Sequence, residues 1–255
     1  MSDERVAIIS DIHSNIWALE AVLSDIKKLG VERIICLGDI IGYGPAPREV
    51  IKRAIGWEFC LQGNHENALL FRAYDFNYDA YKVICWTRSE LNSAKFPENE
   101  NFAIWNFLGG LKEKKEDDNI MFVHGSPNDP IREYIMPSDV EKSPEKMTKI
   151  FSLIKWGCFC GHTHIPGVFT SNLKFLMPSL FASGIVRLRN EEKFIINVGS
   201  VGQPRDLDIR ASYVIFTGET CEFRRVDYDY KLAASEIRKI KEISPHFADR
   251  LEVGR

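Results

Sequence analysis

The chain has 255 residues, 33 basic and 36 acidic, for a net charge of -3 and a pI near 6.1. Such a balance offers no basic stripe, so a nucleic-acid partner is not expected and an anionic substrate has to be attracted locally. No apolar run reaches the roughly 20 residues of a membrane span, and MSDERVAIIS lacks the apolar stretch of a secretory signal; the expectation is a cytoplasmic protein with no membrane partner.

RVAIIS (5–10) is a short apolar run ending in polar residues, the pattern of a buried strand with its chemistry at the C-terminal end. In IWALEAVLSDIKKLG, Ile16, Leu19, Val22, Leu23 and Ile26 recur at helical spacing, and Gly30 stops the helix. ERIICLGD repeats strand then turn. Pro45 and Pro47 suit a helix start, REVIKRAIG reads as that helix, and WEFCLQGN is a third strand. The first 64 residues therefore scan as β-α-β-α-β with right-handed crossovers.

Residues 65–115 read as helical and as a candidate cap-like insertion, with LKEKKEDDN as a solvated turn or helix end. The aromatic-rich FRAYDFNYDAYKVICW fits a buried helix face better than a stacking platform for bases. NIMFVHGS is a strand, SPNDPIREYIMPSD a loop, SPEKMTKIFSLIKWG a helix capped by Ser143 with Pro144 in its first turn, and WGCFCGH another strand. Beyond residue 166 the texture turns to strands: a hairpin of VFT and KFLM, then LFASGIVRLRNEEKFIINVGS and ASYVIFTGETCEFRRVDYD. Helical periodicity returns only in YKLAASEIRKIKEI. Residues 1–255 thus read as one α/β domain with two packed sheets, the first half supplying a mostly parallel sheet and the second a more antiparallel one. Most of the six cysteines lie in apolar runs, so free thiols are expected, with Cys158 and Cys160 as buried core rather than ligands.

Five turns at strand C-termini carry the polar groups: SDIHSN (10–15), GDIIG (38–42), GNHEN (63–67), VHGS (123–126) and GHTH (161–164). Five of the six histidines lie in them; His246 stands apart as a surface residue. Ligands of open α/β sheets bind at strand carboxyl ends, so turns distant in sequence would converge on one rim. In D-x-H and H-x-H, alternate residues of an extended segment face the same way. Asp11, His13, Asp39, Asn64, His124, His162 and His164 then form one donor set, with His65 close by. Mixed carboxylate, amide and imidazole donors suit manganese, iron or zinc, and seven are too many for one such ion. Two ions sharing a carboxylate would activate a water between them and clamp an in-line displacement.

At these residues the sequence resembles the calcineurin-like metallophosphoesterase superfamily, whose pattern runs D-x-H, G-D, G-N-H-[DE], H and G-H-x-H, and all five blocks occur in order between residue 6 and about residue 200. The resemblance implies a four-layer α/β/β/α sandwich of two mixed sheets flanked by helices. It implies that Asp11, His13, Asp39 and His164 hold one divalent ion and Asp39, Asn64, His124 and His162 the other, with manganese foremost and iron, zinc or nickel as alternatives. A hydroxide bridging the two would attack phosphorus. His65 would face the leaving group, with Glu66 or another carboxylate orienting it. Glu66 reads equally well as a first-turn residue favoured by the helix dipole.

Eukaryotic serine/threonine phosphatases of this superfamily carry two phosphate-gripping arginines near the G-D and G-N-H blocks. Here GDIIGYGP and Gln62 stand in those places, which argues against a dedicated phosphoprotein phosphatase. INVGSVGQPRD (196–206) looks like a block of a smaller prokaryotic, phosphodiesterase-like branch, and there Arg205 replaces one missing grip, with Asn64 also at the substrate. The expected substrate is a small phosphomonoester or phosphodiester, a nucleotide among the candidates. A non-catalytic scaffold on the same fold would show eroded ligands, and a nuclease would need a basic stripe. Tyr43, Asp129 and Arg132 read as solvated loop residues.

Overall fold

The computed structural model describes residues 5–74 and 76–255, so Asp75 of the aromatic-rich stretch lies outside them. The expected β-α-β-α-β unit comprises β1 (Val6–Ile9), α1 (Ile16–Lys28), β2 (Arg33–Cys36), α2 (Pro47–Ala54) and β3 (Phe59–Cys60), the strands parallel. Helices α3 (Asn64–Leu70), α4 (Tyr78–Leu91) and α5 (Glu98–Gly109) follow, then the antiparallel pair β4 (Lys114–Asp117) and β5 (Ile120–Val123). Next come α6 (Asp139–Lys142), α7 (Pro144–Ser152), β6 (Gly157–Cys160) and the hairpin β7 (Gly167–Thr170) with β8 (Lys174–Leu176). The chain continues through β9 (Ile185–Arg187), β10 (Phe194–Asn197), β11 (Ala211–Phe216), β12 (Thr220–Val226), α8 (Tyr230–Arg238) and α9 (His246–Val253).

Two six-stranded mixed sheets result, in the orders β3-β2-β1-β11-β12-β9 and β4-β5-β6-β10-β7-β8. Strand parity then sets the layers, because successive side chains leave a strand on opposite faces. Val6, Ile8, Val214 and Phe216 of the first sheet meet Phe122, Phe159, Phe194 and Ile196 of the second in the inter-sheet core. Ala7 and Ile9 point the other way, onto Leu19, Val22 and Ile26 of α1 and Val50 and Ile51 of α2. Met121, Val123, Cys158, Cys160 and Ile195 likewise face Met147, Ile150 and Phe151 of α7. Both faces of each sheet are therefore covered, which is why the central strands are apolar throughout rather than alternating. The outcome is the α/β/β/α sandwich, with Cys158 and Cys160 in its core as expected.

Three expectations are corrected. The parallel and antiparallel strands are not divided between halves of the chain: β11 and β12 complete the first sheet beside β1, and each sheet has a parallel and an antiparallel part. Periodicity identifies a strand but not its neighbour. Lys114–Asp117, read as a turn or helix end, is an edge strand with Lys114, Glu116 and Asp117 exposed and Lys115 laid over the Phe59 ring, a charged composition that guards exposed edges. The aromatics of FRAYDFNYDAYKVICW are not a buried face: Phe71, Tyr74 and Tyr78 are about 70% exposed (68%, 75% and 74%), and α4 buries Ala80, Val83, Ile84, Thr87 and Leu91 instead. Residues 71–74, 76 and 77 precede the helix, so their spacing carries no helical phase.

Helices α3 to α5 share the outer core of α1 and α2 through Ala68, Leu69, Ile84, Leu91, Ile104 and Leu108. Arg48, buried on α2, ties them together. Its guanidinium donates to the carbonyls of Glu90 and Leu91, each at 3.2 Å, and pairs with Glu100. At the C-terminus α9, unmarked by periodicity, packs Phe247, Ala248 and Leu251 against Ala233, Ala234 and Ile237 of α8, and Gly254 closes it with a φ of 64°. No helix among the described residues is long and apolar enough to cross a membrane.

Candidate metal centre

The carboxyl ends of β1, β2, β5 and β6 deliver four of the five turns, and the start of α3 after β3 delivers the fifth. Backbone bonds zip the turns together before any side chain acts: Asp11 N–H donates to Gly38 O (3.0 Å), His13 N–H to Asp39 O (2.9 Å) and Gly161 N–H to His124 O (3.0 Å). Asp11, His13, Asp39, His162 and His164 all adopt left-handed φ values between 49° and 67°. A conformation that costs a non-glycine residue about 1 kcal/mol or more persists only where the surroundings over-determine it. Gly38 (φ 114°) lets the G-D and G-N-H turns come together, since a Cβ there would lie 2.6 Å from Gly63 N.

Each aspartate has one anchored oxygen and one turned to the centre. Asp39 Oδ1 accepts from His65 N–H (2.9 Å) and Asp11 Oδ2 from His162 N–H (3.0 Å). Three imidazoles are fixed by carbonyls, which only accept: His13 Nδ1 at 3.1 Å from Ile41 O, His164 Nδ1 at 2.6 Å from Gln203 O, and His162 Nε2 at 3.1 Å from Arg132 O. The opposite nitrogen of each neutral ring therefore carries a lone pair. Those of His13 and His164 approach to 3.1 Å, and Asp11 Oδ1 lies 3.2 Å from the latter. On the other side His124 Nε2 lies 3.1 Å from His162 Nδ1, 3.1 Å from Asn64 Oδ1 and 3.3 Å from Asp39 Oδ2. Asp39 Oδ2 is also 3.7 Å from His13 Nε2, between the two groups.

The structure thus gathers all seven sequence-chosen donors. Asp11, His13 and His164 form one cluster and Asp39, His124 and His162 another, each with ligand atoms within 4.8 Å. Buried Asp11 Oδ1 has no hydrogen-bond partner, and the lone pairs of His13 and His164 face it and each other. Such a set repels itself unless a cation is placed among its members, so the residues fit divalent metal ions.

Burial holds His65 down to about 4 and His162 to about 3, and lowers His13 and His164 as well, which keeps all four rings neutral and leaves His13, His162 and His164 able to ligate. At His124 burial opposes charge, but the adjacent Asp39 carboxylate prevails and lifts the ring to about 9. Burial would raise both aspartates; the neighbouring histidines, His164 for Asp11 and His124 for Asp39, hold them well below the usual carboxylate range.

Four imidazoles have folded pKa values below the ordinary 6.5, so unfolding takes up protons and stability falls as pH drops through 6.5 toward 4. Glu66, raised from 4.5 to about 7 by burial and by Asp39, acts in the opposite sense between those values, but one carboxyl opposes four rings. Urea midpoints of stripped protein should decline from pH 6.5 to pH 4; a flat or rising series would contradict the assignment of buried neutral rings.

Glu66 does not orient His65. Its Oε2 accepts from the N–H groups of Asp39 and Gly63, both at 2.9 Å, and its Oε1 from Ile41 N–H at 3.0 Å, whereas His65 Nδ1 has no partner. The side chain instead clamps the G-D turn onto the G-N-H turn. Glu66→Gln would set an amide donor against a backbone donor and should cost about 1–3 kcal/mol, read from urea unfolding.

Comparison with known proteins agrees with this geometry. Residues 5–220 match the calcineurin-like phosphoesterase superfamily domain. The chain belongs to that superfamily. This calcineurin-like phosphoesterase is 36% identical over 266 aligned positions to the protein MJ0912 of Methanocaldococcus jannaschii, with both chains covered in full. It is 33% identical to a metallophosphoesterase from Sphaerobacter thermophilus whose crystal structure superposes with a TM-score of 0.82 over all of both chains. Protein PH1004 of Pyrococcus horikoshii OT3 shares the fold at 18% identity, with a TM-score of 0.73 over 98% of each chain. The protein is accordingly a metal-dependent phosphoesterase, a hydrolase that uses divalent metal ions.

Around the phosphoesterase centre stand residues that local pattern missed. Tyr43, read as a solvated loop residue, is partly buried, with its ring 4.6 Å from that of His13 and 4.5 Å from that of His65. Tyr134 stacks on His162 at 3.7 Å and 19°. A pocket of about 110 Å³ opens beside Asn64 and His162, walled by Phe76 and Tyr134 and bordered by Arg72 and Arg132. Arg132, exposed as expected, nevertheless lines this pocket, and Asp129 Oδ1 shapes its turn by accepting from the N–H groups of Ile131 (3.1 Å) and Arg132 (3.0 Å). Arg205 lies with its Cζ 5.9 Å from the Tyr43 ring centroid, next to the centre. His246 is exposed.

Proposed function

We propose that this phosphoesterase hydrolyses a phosphomonoester or phosphodiester of a small molecule, a nucleotide among the candidates, at a two-cation centre. The observation that carries the reading is Asp39, whose inward oxygen lies within 3.7 Å of nitrogens from both histidine clusters, the position of a bridging ligand. Asp11, His13, Asp39 and His164 would hold one cation and Asp39, Asn64, His124 and His162 the other. Once bound, such a pair supplies a water nucleophile active at neutral pH and neutralises charge on the phosphoryl oxygens. Manganese suits the donors first, with iron, zinc or nickel as alternatives.

The remaining steps belong to the chain itself. Arg205 presents a planar donor fork to a phosphoryl oxygen, and the Asn64 amide adds a further donor. His65, neutral in the free protein because it is buried, would take up a proton as the anionic substrate enters beside it and, as the imidazolium, donate that proton to the leaving oxygen as the bond breaks, returning to the neutral ring. Tyr43, Phe76 and Tyr134 keep water from the far side. Residues 1–255 would act as one domain, the helical insertion around 65–115 being cap-like, with Asn67, Ala68, Tyr74 and Phe76 lining the pocket. Six unpaired cysteines suit a reducing compartment, the cytoplasm.

The complete donor set favours an enzyme over a non-catalytic scaffold, and the balanced charge favours a small substrate over a polynucleotide or phosphoprotein. Protein stripped with chelator and assayed on p-nitrophenyl phosphate and its bis-ester should regain turnover when manganese is restored. Absence of turnover on any phosphate ester with both cation positions filled would contradict the proposal.

A further inference from the structure

Arg250 lies on α9, outside the residues that match the superfamily domain, and nothing in the five motifs points to it. Its Nη1 lies 3.4 Å from Gln203 Oε1, which also accepts from Arg205 Nη2 at 2.8 Å and Nε at 3.3 Å. One neutral amide oxygen thus serves two guanidiniums. Nearby arginines behave differently: Arg210, Arg224, Arg225 and Arg238 each pair with a carboxylate. Among the described residues, Arg205 and Arg250 have none. Both are partly buried, where two like charges without a counter-ion oppose the fold, and burial together with Arg205 pulls Arg250 below its ordinary pKa.

The pair is held against the metal centre by several independent contacts. Gln203 accepts from His164 Nδ1 through its backbone carbonyl while its side chain holds the guanidiniums. Phe247, one turn before Arg250, packs on Tyr43 at 4.6 Å, and Tyr43 touches the rings of His13 and His65. Leu207 N–H donates to Gly254 O at 2.9 Å, joining the segment after Arg205 to the end of α9. Burial raises the Tyr43 hydroxyl, and the charges of both arginines partly offset that rise, as adjacency at the rim requires. Two forks without a carboxylate, fixed beside a phosphate-ester site, provide more positive charge than one scissile phosphate between two cations needs.

We propose that Arg250, next to the Arg205 fork that grips the scissile phosphoryl group, binds a second anionic group, phosphoryl or carboxylate, and so selects phosphate esters that bear one apart from the scissile phosphate. The inference rests on the phosphoesterase reading above. Its test compares kcat and KM of the holoenzyme, Arg250→Ala and Arg250→Lys on three matched esters: phenyl phosphate, 4-carboxyphenyl phosphate and 1,4-phenylene bisphosphate. The wild type should prefer at least one of the two-anion esters by about tenfold or more in kcat/KM, the size of one charge-assisted contact. Arg250→Ala should erase that preference through KM, and Arg250→Lys should keep part of it, since a point charge replaces the fork. Whichever two-anion ester loses more identifies the second group as carboxylate or phosphoryl. Equal losses on all three esters, or a preference that survives Arg250→Ala, would overturn the subsite. If the loaded enzyme turned over none of the three, the phosphoesterase reading would fail instead. Calorimetric binding of 1,4-phenylene bisphosphate would then decide the subsite: about tenfold weaker binding in Arg250→Ala supports it, and equal binding overturns it.

Discussion

Asp39→Asn is expected to lower kcat/KM for phosphate esters by roughly 10³-fold or more, the largest effect of any single isosteric change. The amide keeps the size of the carboxylate, and its oxygen can still accept from His65 N–H, so the turn should remain folded. What disappears is the only negative charge shared by the two donor groups, 3.3 Å from His124 Nε2 and 3.7 Å from His13 Nε2. The variant should also lose a bound metal ion, and His124, no longer held up to about 9 by its anionic neighbour, should titrate lower. Activity within tenfold of wild type would remove Asp39 from the bridging role.

His65→Asn is expected to lower kcat by about 10²–10⁴-fold, the range of a lost general acid, with metal content preserved. The backbone is already shaped around this ring: a Cβ on Gly42, whose φ is 102°, would overlap the imidazole. His65 N–H to Asp39 Oδ1 is a main-chain bond and survives the substitution. The ring nitrogen Nε2 lies 3.9 Å from Asp39 Oδ2, near enough to raise the alternative that His65 ligates a metal. Two readouts separate the roles. A leaving-group role makes the loss greater for alkyl phosphates than for p-nitrophenyl phosphate, because a good leaving group needs little proton assistance. A ligand role lowers the metal content and affects both substrates alike.

What the sequence reveals and what it conceals follow from the range of the interactions concerned. Asp11 with His13 and His162 with His164 are legible because each pair lies within one turn and each turn follows an apolar strand. The four-layer arrangement is legible where a strand and a helix alternate, as in β1-α1-β2-α2-β3. The neighbour relations are not: β11 enters beside β1 from more than 200 residues away, and no local period encodes that pairing. β4 is hidden because an edge strand is solvated and charged like a turn. Glu66 is legible as a helix first-turn residue, and it does accept from Gly63 N–H there, but its other partners, Asp39 and Ile41 N–H, come from a different loop and leave no local signal. Tyr43, Tyr134 and Arg250 escape for the same reason, each acquiring its place from contacts made by the folded chain rather than from its own segment.

The most direct test of the central claim is the number of metal ions that the folded centre takes up. Chelator-stripped protein should be dialysed to equilibrium against excess manganese, freed of unbound ion and analysed for metal and protein together. The account predicts two ions per chain for the wild type; uptake of none, or of only one at saturation, would contradict it.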